Sequence, residues 1–213
     1  MSMTPWKSIL CLLLLSPAIV LITVYLVFRS GNACNLKVLH SVSLHEGDLV
    51  FRRGKSIESF AVVHVEKNSE YSHVGIIVME GEKPFVIHAE PAENSVKTDL
   101  VRKEPLISFL DPEKASHFAI YRSHLDRQSL TRVIAQARIF YYQKCRFDNA
   151  FDLRTDQNLY CTELVFKAYR QGDQRINSLL QKLKEVNILL DKRKILMPGA
   201  FINSSLFYKI CTQ

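Results

Sequence analysis

The sequence predicts a single globular domain, strands first and helices after, set behind an apolar N-terminal span. Three observations carry this expectation. A length of 213 residues and 24.5 kDa suits one domain of ordinary size with a short appendage. A hydrophobic fraction of 47% against 23% charged residues, with only 7 Gly and 7 Pro, supports a packed core and excludes a disordered or fibrous chain. Finally, the apolar spacing changes along the chain, from short β-branched and aromatic runs to the three-and-four period of helices. Five Cys are too few for a disulfide-stapled scaffold, so burial must hold the fold.

Taken in order, Ile9 to Phe28 is an uncharged, almost wholly apolar run of 20 residues, the length that crosses a bilayer as a helix. Pro17 is tolerated in such a span. Gly31-Asn32-Ala33 also suits a signal peptidase, so residues 1–34 are a membrane anchor or a signal segment and residues 35–213 the globular domain. Lys7 on one side and Arg29 and Lys37 on the other set no orientation. The formal charge is +7 overall and +5 without the first 34 residues, which contain Lys7, Arg29 and no acid. That excess suits either anionic neighbours such as lipid headgroups or cell-wall polymers, or simply a solubilising surface with no specific partner, and the Lys and Arg are not interleaved with aromatics in a nucleic-acid pattern.

Past residue 45, Asp48 to Arg53, Ser72 to Met79, Phe85 to Glu90 and His117 to Arg122 read as strands. Leu130, Val133, Ile134, Ala137 and Tyr141 follow the helical period, with Phe140, Tyr141 and Tyr142 expected in the core. Gln143 to Tyr160 shows little periodicity and reads as a long loop, a length that marks either a functional segment or an unrecognised element. Leu164, Val165, Ala168 and Tyr169 mark a second helix, with Asn158 as its expected N-cap. Ile176, Leu179, Leu180, Leu183, Val186 and Leu190 mark a third.

Cys161 then falls in the first turn of a helix, where unpaired N–H groups and the macrodipole favour a thiolate. Its base must come from seven His. If Ser72–Met79 and Phe85–Glu90 form a hairpin across Glu80-Gly81-Glu82-Lys83, with Met79 opposite Pro84, then Gly75 faces His88 and His73 lies diagonal to it on the same face. The small Gly75 leaves room in front of the second imidazole. This arrangement proposes Cys161 as nucleophile, His73 as base and later acid, and His88 as the group orienting His73. The competing readings are structural: histidines that only hydrogen-bond, Cys161 as a small core residue, or a disulfide to Cys34, Cys145 or Cys211. A zinc site of His73, His88 and Cys161 has no close ligand pair to support it. Glu163 either caps the helix or lines the site.

Gly47-Asp48-Leu49-Val50-Phe51, Tyr71-Ser72-His73-Val74-Gly75-Ile76, Val86-Ile87-His88-Ala89 and Tyr160-Cys161-Thr162-Glu163-Leu164-Val165, in that order, resemble the circularly permuted papain-like amidases of the YiiX type, within the NlpC-related group. The resemblance runs from Glu46 to Met197-Pro198. It implies an α+β papain-like fold with a small antiparallel, barrel-like sheet packed against helices. It also implies Cys161, His73 and His88 as catalytic residues, Tyr71 and Glu163 as substrate contacts, and no cofactor or metal. The expected activity is thiol-dependent cleavage of an amide in a cell-wall peptide or lipid-linked acyl substrate, by a membrane-anchored enzyme of the bacterial cell envelope with its catalytic domain exported. Its partners would be membrane lipid and that substrate, with no nucleic acid. Many relatives carry Glu where this chain has His88. An imidazole there looks more like the lecithin:retinol acyltransferase group, which keeps acyl transfer open, as does a noncatalytic envelope binding protein of the same fold.

Overall fold

Two-residue alternation and one tight turn organise the sheet. The computed structural model describes residues 36–55, 70–91, 99–188 and 191–213. Its strands are β1 (Leu49–Gly54), β2 (His73–Glu80), β3 (Lys83–Ala89), β4 (Val101–Pro105), β5 (Ala115–Ser123), β6 (Lys184–Ile188), β7 (Asp191–Ile195) and β8 (Phe207–Thr212). Six of them form one sheet in the order β4-β3-β2-β1-β5-β8, with every neighbouring pair antiparallel. In the β2–β3 hairpin Glu80 pairs with Lys83, so the connection is the two residues Gly81-Glu82. Gly81 sits at φ +61, a left-handed conformation that glycine adopts without strain. Met79 opposes Pro84, and each side chain keeps its expected face.

The sheet is open: β4 and β8 are its edges, and the barrel-like closure expected from the resemblance is not formed. β4 has only five residues and carries Arg102, Lys103 and Glu104, charges that blunt an edge against further pairing.

Helices are α1 (Leu106–Phe109), α2 (Arg127–Tyr142), α3 (Cys161–Gly172) and α4 (Pro198–Ile202). One face of the sheet, carrying Leu49, Phe51, Val74, Ile76, Val78 and Ile87, packs with α2 and α3 in the larger core cluster. The other, carrying Val50, Ile77, Val86, Phe118 and Ile120, is covered by α1 and by Leu36, Val38, Leu39, Val42 and Leu44. Each fully buried Leu, Ile or Phe side chain contributes about 1.5–3 kcal/mol by leaving water. Asp126 caps α2, its carboxylate accepting from Ser129 N–H at 2.7 Å. Phe140 is buried and Tyr141 packs against the core, but Tyr142 is exposed because its position turns it off the buried stripe.

Two further expectations are corrected. The apolar period over Ile176–Leu190 continues as a helix only through a 3₁₀ segment, Gln174–Lys182. After Leu183 the chain extends into the β6–β7 hairpin, where Val186 packs beside Tyr160, Ile195 and Met197. A local apolar contact thus outweighs the helical spacing. Leu190 and the N-terminal span of residues 1–34 lie outside the described residues. Among the described residues no helix is long and apolar enough to cross a membrane. The second correction is at α3, where Tyr160, not Asn158, is the N-cap.

Candidate active site

Strand pairing delivers the imidazoles. The β2–β3 register makes His73 and His88 diagonal neighbours, and His73 Nε2 lies 2.9 Å from His88 Nδ1. A Cβ added at Gly75 would lie 2.3 Å from Val86 Cγ1 and 3.1 Å from His88 Cβ, so only glycine leaves His88 its place. Phe109 of α1 packs over both rings, stacked on His73 at 5.5 Å and edge-on to His88 at 5.0 Å. Arg52, opposite His73 on β1, holds its guanidinium 4.4 Å over the Phe109 ring and donates to Phe109 O and to Glu90. Burial is the main cause that lowers the pKa of each imidazole, and the nearby Arg52 cation adds to it. Both rings are therefore neutral at neutral pH.

The thiol arrives from the far side. Phe147, Phe151 and Leu153 of the long loop pack around Tyr160. Tyr160 O–H accepts from Leu196 N–H at 3.2 Å, and Thr162 O–H donates to Leu196 O at 2.6 Å. These contacts fix the start of α3 and put Cys161 at its first position. Glu163 reaches back to accept from Tyr160 N–H at 3.2 Å, the reverse half of a capping box. The sulfur is faced by the backbone N–H groups of Val74, Thr162 and Cys161 itself. Val74 N–H is free for this because Ile77 N–H bonds Asp48 O on the β1 side, which turns the even-numbered amides of β2 toward β3. The β2–β3 ladder starts only at Ile76–Ile87, one step further along.

Cys161 thus sits beside Val74, the residue after His73. Among the described residues no hydrogen bond joins it to either imidazole, as is common in a resting site before substrate binds. Desolvation pushes the thiol up to about 11 and outweighs the amides that lower it. Burial of the sulfur thus opposes the thiolate that its place at the helix N-terminus favours. Cys145, Cys161 and Cys211 are all free thiols, which removes the disulfide reading among them.

Tyr71 and Glu163, the two expected substrate contacts, are 2% and 0% exposed. Tyr71 packs on Phe51 and His117 with its hydroxyl 3.3 Å from Thr212 Oγ1. The Glu163 carboxylate lies 3.0 Å from Lys167 Nζ, itself 2.7 Å from Asp156 Oδ1. Both side chains are packed against protein groups in this structure.

Sequence reasoning missed a neighbour of the dyad. His88 Nε2 lies 3.0 Å from Oε1 of Glu104 on β4, with its N–H off the line to that oxygen. Burial raises the Glu104 carboxyl, but the interaction with His88 and the nearby Lys114 and Arg52 cations bring it down to about 2. The signal was obscured because β4 is a short, charged run with no strand periodicity.

A family model described as permuted papain-like amidase enzyme, YaeF/YiiX, C92 family, matches residues 43–210. The chain belongs to this family. A curated relative, the uncharacterized protein YiiX of Escherichia coli strain K12, is 26% identical over 67% of the chain, and the chain spans 65% of that relative's length. A crystal structure titled metalloprotein yiiX, from Escherichia coli O157:H7, matches with a TM-score of 0.59 at 20% identity, covering 79% of this chain and 97% of that one. In this chain His73, His88 and Glu90 bring ligand atoms within 4.8 Å of one another. The set does not fit a divalent cation. Arg52 is bonded to Glu90, Arg102 Nη1 lies 3.8 Å from it, and the two imidazoles engage each other. Two guanidinium charges already neutralise the one carboxylate.

Proposed function

We propose that this protein is a thiol-dependent amide hydrolase that works through a thioester on Cys161. The observation that carries the reading is the His73–His88 pair, 2.9 Å apart, on strands whose unpaired Val74 N–H faces the Cys161 sulfur. His88 occupies Nε2 of His73, so Nδ1 is the nitrogen available as a base. As the sulfur attacks the substrate carbonyl carbon, the thiol proton passes to His73 Nδ1 and the carbonyl oxygen takes up negative charge, met by the N–H groups around the sulfur. Collapse expels the amine, which takes the proton from His73. Water, deprotonated by the same ring, then attacks the thioester and returns the free acid and the thiol. Since thiol and imidazole start neutral, proton transfer accompanies attack.

The imidazole at position 88 supports a second reading in which an amine or hydroxyl takes water's place as acceptor. A cell-wall peptide or a lipid-linked acyl chain at the bacterial envelope is the proposed substrate, with residues 1–34 as the anchor that keeps the domain at the membrane. The basic balance of the chain supports that setting.

The test uses wild-type protein, Cys161→Ala and His73→Ala with p-nitrophenyl acyl esters and peptide amides. Wild type should accumulate an acylated Cys161 visible by intact mass, and both variants should lose it while remaining folded. Undiminished turnover in either variant defeats the assignment. Acyl product on an added amine, in place of free acid, identifies the transferase.

A further inference from the structure

Two imidazoles in series leave a proton arrangement undecided. His73 Nε2 and His88 Nδ1 share one hydrogen bond, and either ring can donate it. If His73 donates, its Nδ1 carries a lone pair and can take a thiol proton. If His88 donates, His73 carries its proton on Nδ1 and offers the thiol no base. The dyad alone does not choose between these tautomers, so a third group must.

The sheet supplies it by repeating one geometric step. His73 on β2 and His88 on β3 are diagonal neighbours. In the β3–β4 register Val86 faces Glu104 and His88 faces Arg102, which makes His88 and Glu104 diagonal neighbours on that same face. The row therefore crosses three strands, ending with Glu104 Oε1 at 3.0 Å from His88 Nε2 and Lys114 Nζ at 3.5 Å from Glu104 Oε2. His88 is fully buried, and Glu104 is the partner at its Nε2. A carboxylate at that distance attracts an N–H and repels a lone pair, even with the N–H off line. Nε2 of His88 must carry the proton, its Nδ1 must accept, and His73 must donate from Nε2.

We propose that Glu104 is a positioning residue that sets the tautomers of His88 and His73 in turn and so keeps the lone pair of His73 at Nδ1. It acts through His88. The role rests on reading His73 as the base for Cys161, but the proton arrangement can be observed without any turnover.

The experiment is imidazole ¹⁵N–¹H correlation spectroscopy on wild-type protein and on Glu104→Ala and Glu104→Gln, above the titration of both rings. Wild type should show protonated Nε2 and unprotonated Nδ1 on both residues. Glu104→Ala should show mixed tautomers, and Glu104→Gln, whose amide oxygen still accepts, should restore the wild-type pattern in part. Turnover of the ester probe should follow, with kcat down about 10–100-fold in the Ala variant, KM unchanged, and partial rescue in the Gln variant. Wild-type protein with an unprotonated His88 Nε2, or an Ala variant that keeps the wild-type pattern, overturns the proposal. If Cys161→Ala keeps turnover while Glu104→Ala scrambles the tautomers, the hydrolase reading fails and the positioning role stands.

Discussion

Two polar clusters flank Cys161, and burial acts on them in opposite ways. The His73–His88–Glu104 row keeps its imidazoles uncharged: they satisfy each other, and only Glu104, at the half-exposed edge strand, bears charge. The Glu163–Lys167 pair, on the helix that carries the thiol, places a carboxylate and an ammonium together inside the core, tied to Asp156 and Thr155. In the proposed mechanism the first arrangement leaves an uncharged imidazole to act as base. The second locks the long loop to the first two turns of α3. Polar burial near a nucleophile therefore divides by whether the charge is already compensated.

The largest expected difference is functional. His73→Ala should lower kcat/KM for the ester probe about 10²–10⁴-fold per folded molecule, the usual worth of a positioned general base, and cost about 1–3 kcal/mol of stability because it leaves His88 Nδ1 buried without its partner. Lys167→Met should act on stability alone. It leaves Glu163 buried without its partner, and because an acid raised to about 7 can take up a proton the cost in urea unfolding should be about 1–3 kcal/mol near neutrality, while activity per folded molecule is retained. Equal losses in both assays for both variants would erase the distinction.

Gly75→Ala lies between the clusters in effect. The added methyl would overlap Val86 and crowd His88, so about 1–3 kcal/mol of stability should be lost, together with turnover as the ring is displaced. An unchanged His73–His88 cross-peak in this variant would count against the packing argument.

A smaller contrast should appear in pH titrations of stability. Burial raises Glu163 from 4.5 to about 7, so the folded state holds that proton more tightly than the unfolded chain. Its contribution is full below about pH 4.5 and is lost as pH rises to about 7. His73 and His88 are lowered below 6.5, so theirs is full above that value and lost as pH falls through the folded-state pKa values. Glu163→Gln should remove the first slope in melting temperature against pH and leave the second. The smallest effect is in thiol chemistry. With Cys161 at about 11, its alkylation by iodoacetamide should be slow near neutrality and climb steadily into the alkaline range. A plateau near pH 7 would restore the thiolate expected from helix position alone.

That last reversal shows where local reasoning stops. Helix position and spacing placed Cys161 in a first turn, and hairpin parity placed two histidines on one face with a glycine making room, because both follow from fixed periods of 3.6 and 2 residues. Turn chemistry at Gly81 then secured the register. The same local rules misread Ile176–Leu190, because a period common to helices is overridden when Val186 finds Tyr160 and Met197 nearby.

From the amino acids alone came the family resemblance, the β2–β3 register, the residues of the thiol and its imidazoles, and the loop that had to lie between helices. Only the folded chain decided that the sheet stays open, that Phe109 and Arg52 roof the dyad, that Tyr71 and Glu163 are buried, and that Glu104 ends the row of imidazoles. The physical reason is one of range. Periodicity and turns act over a few bonds and can be read along the chain, whereas desolvation and the meeting of β4 with β3 depend on groups brought together from distant segments.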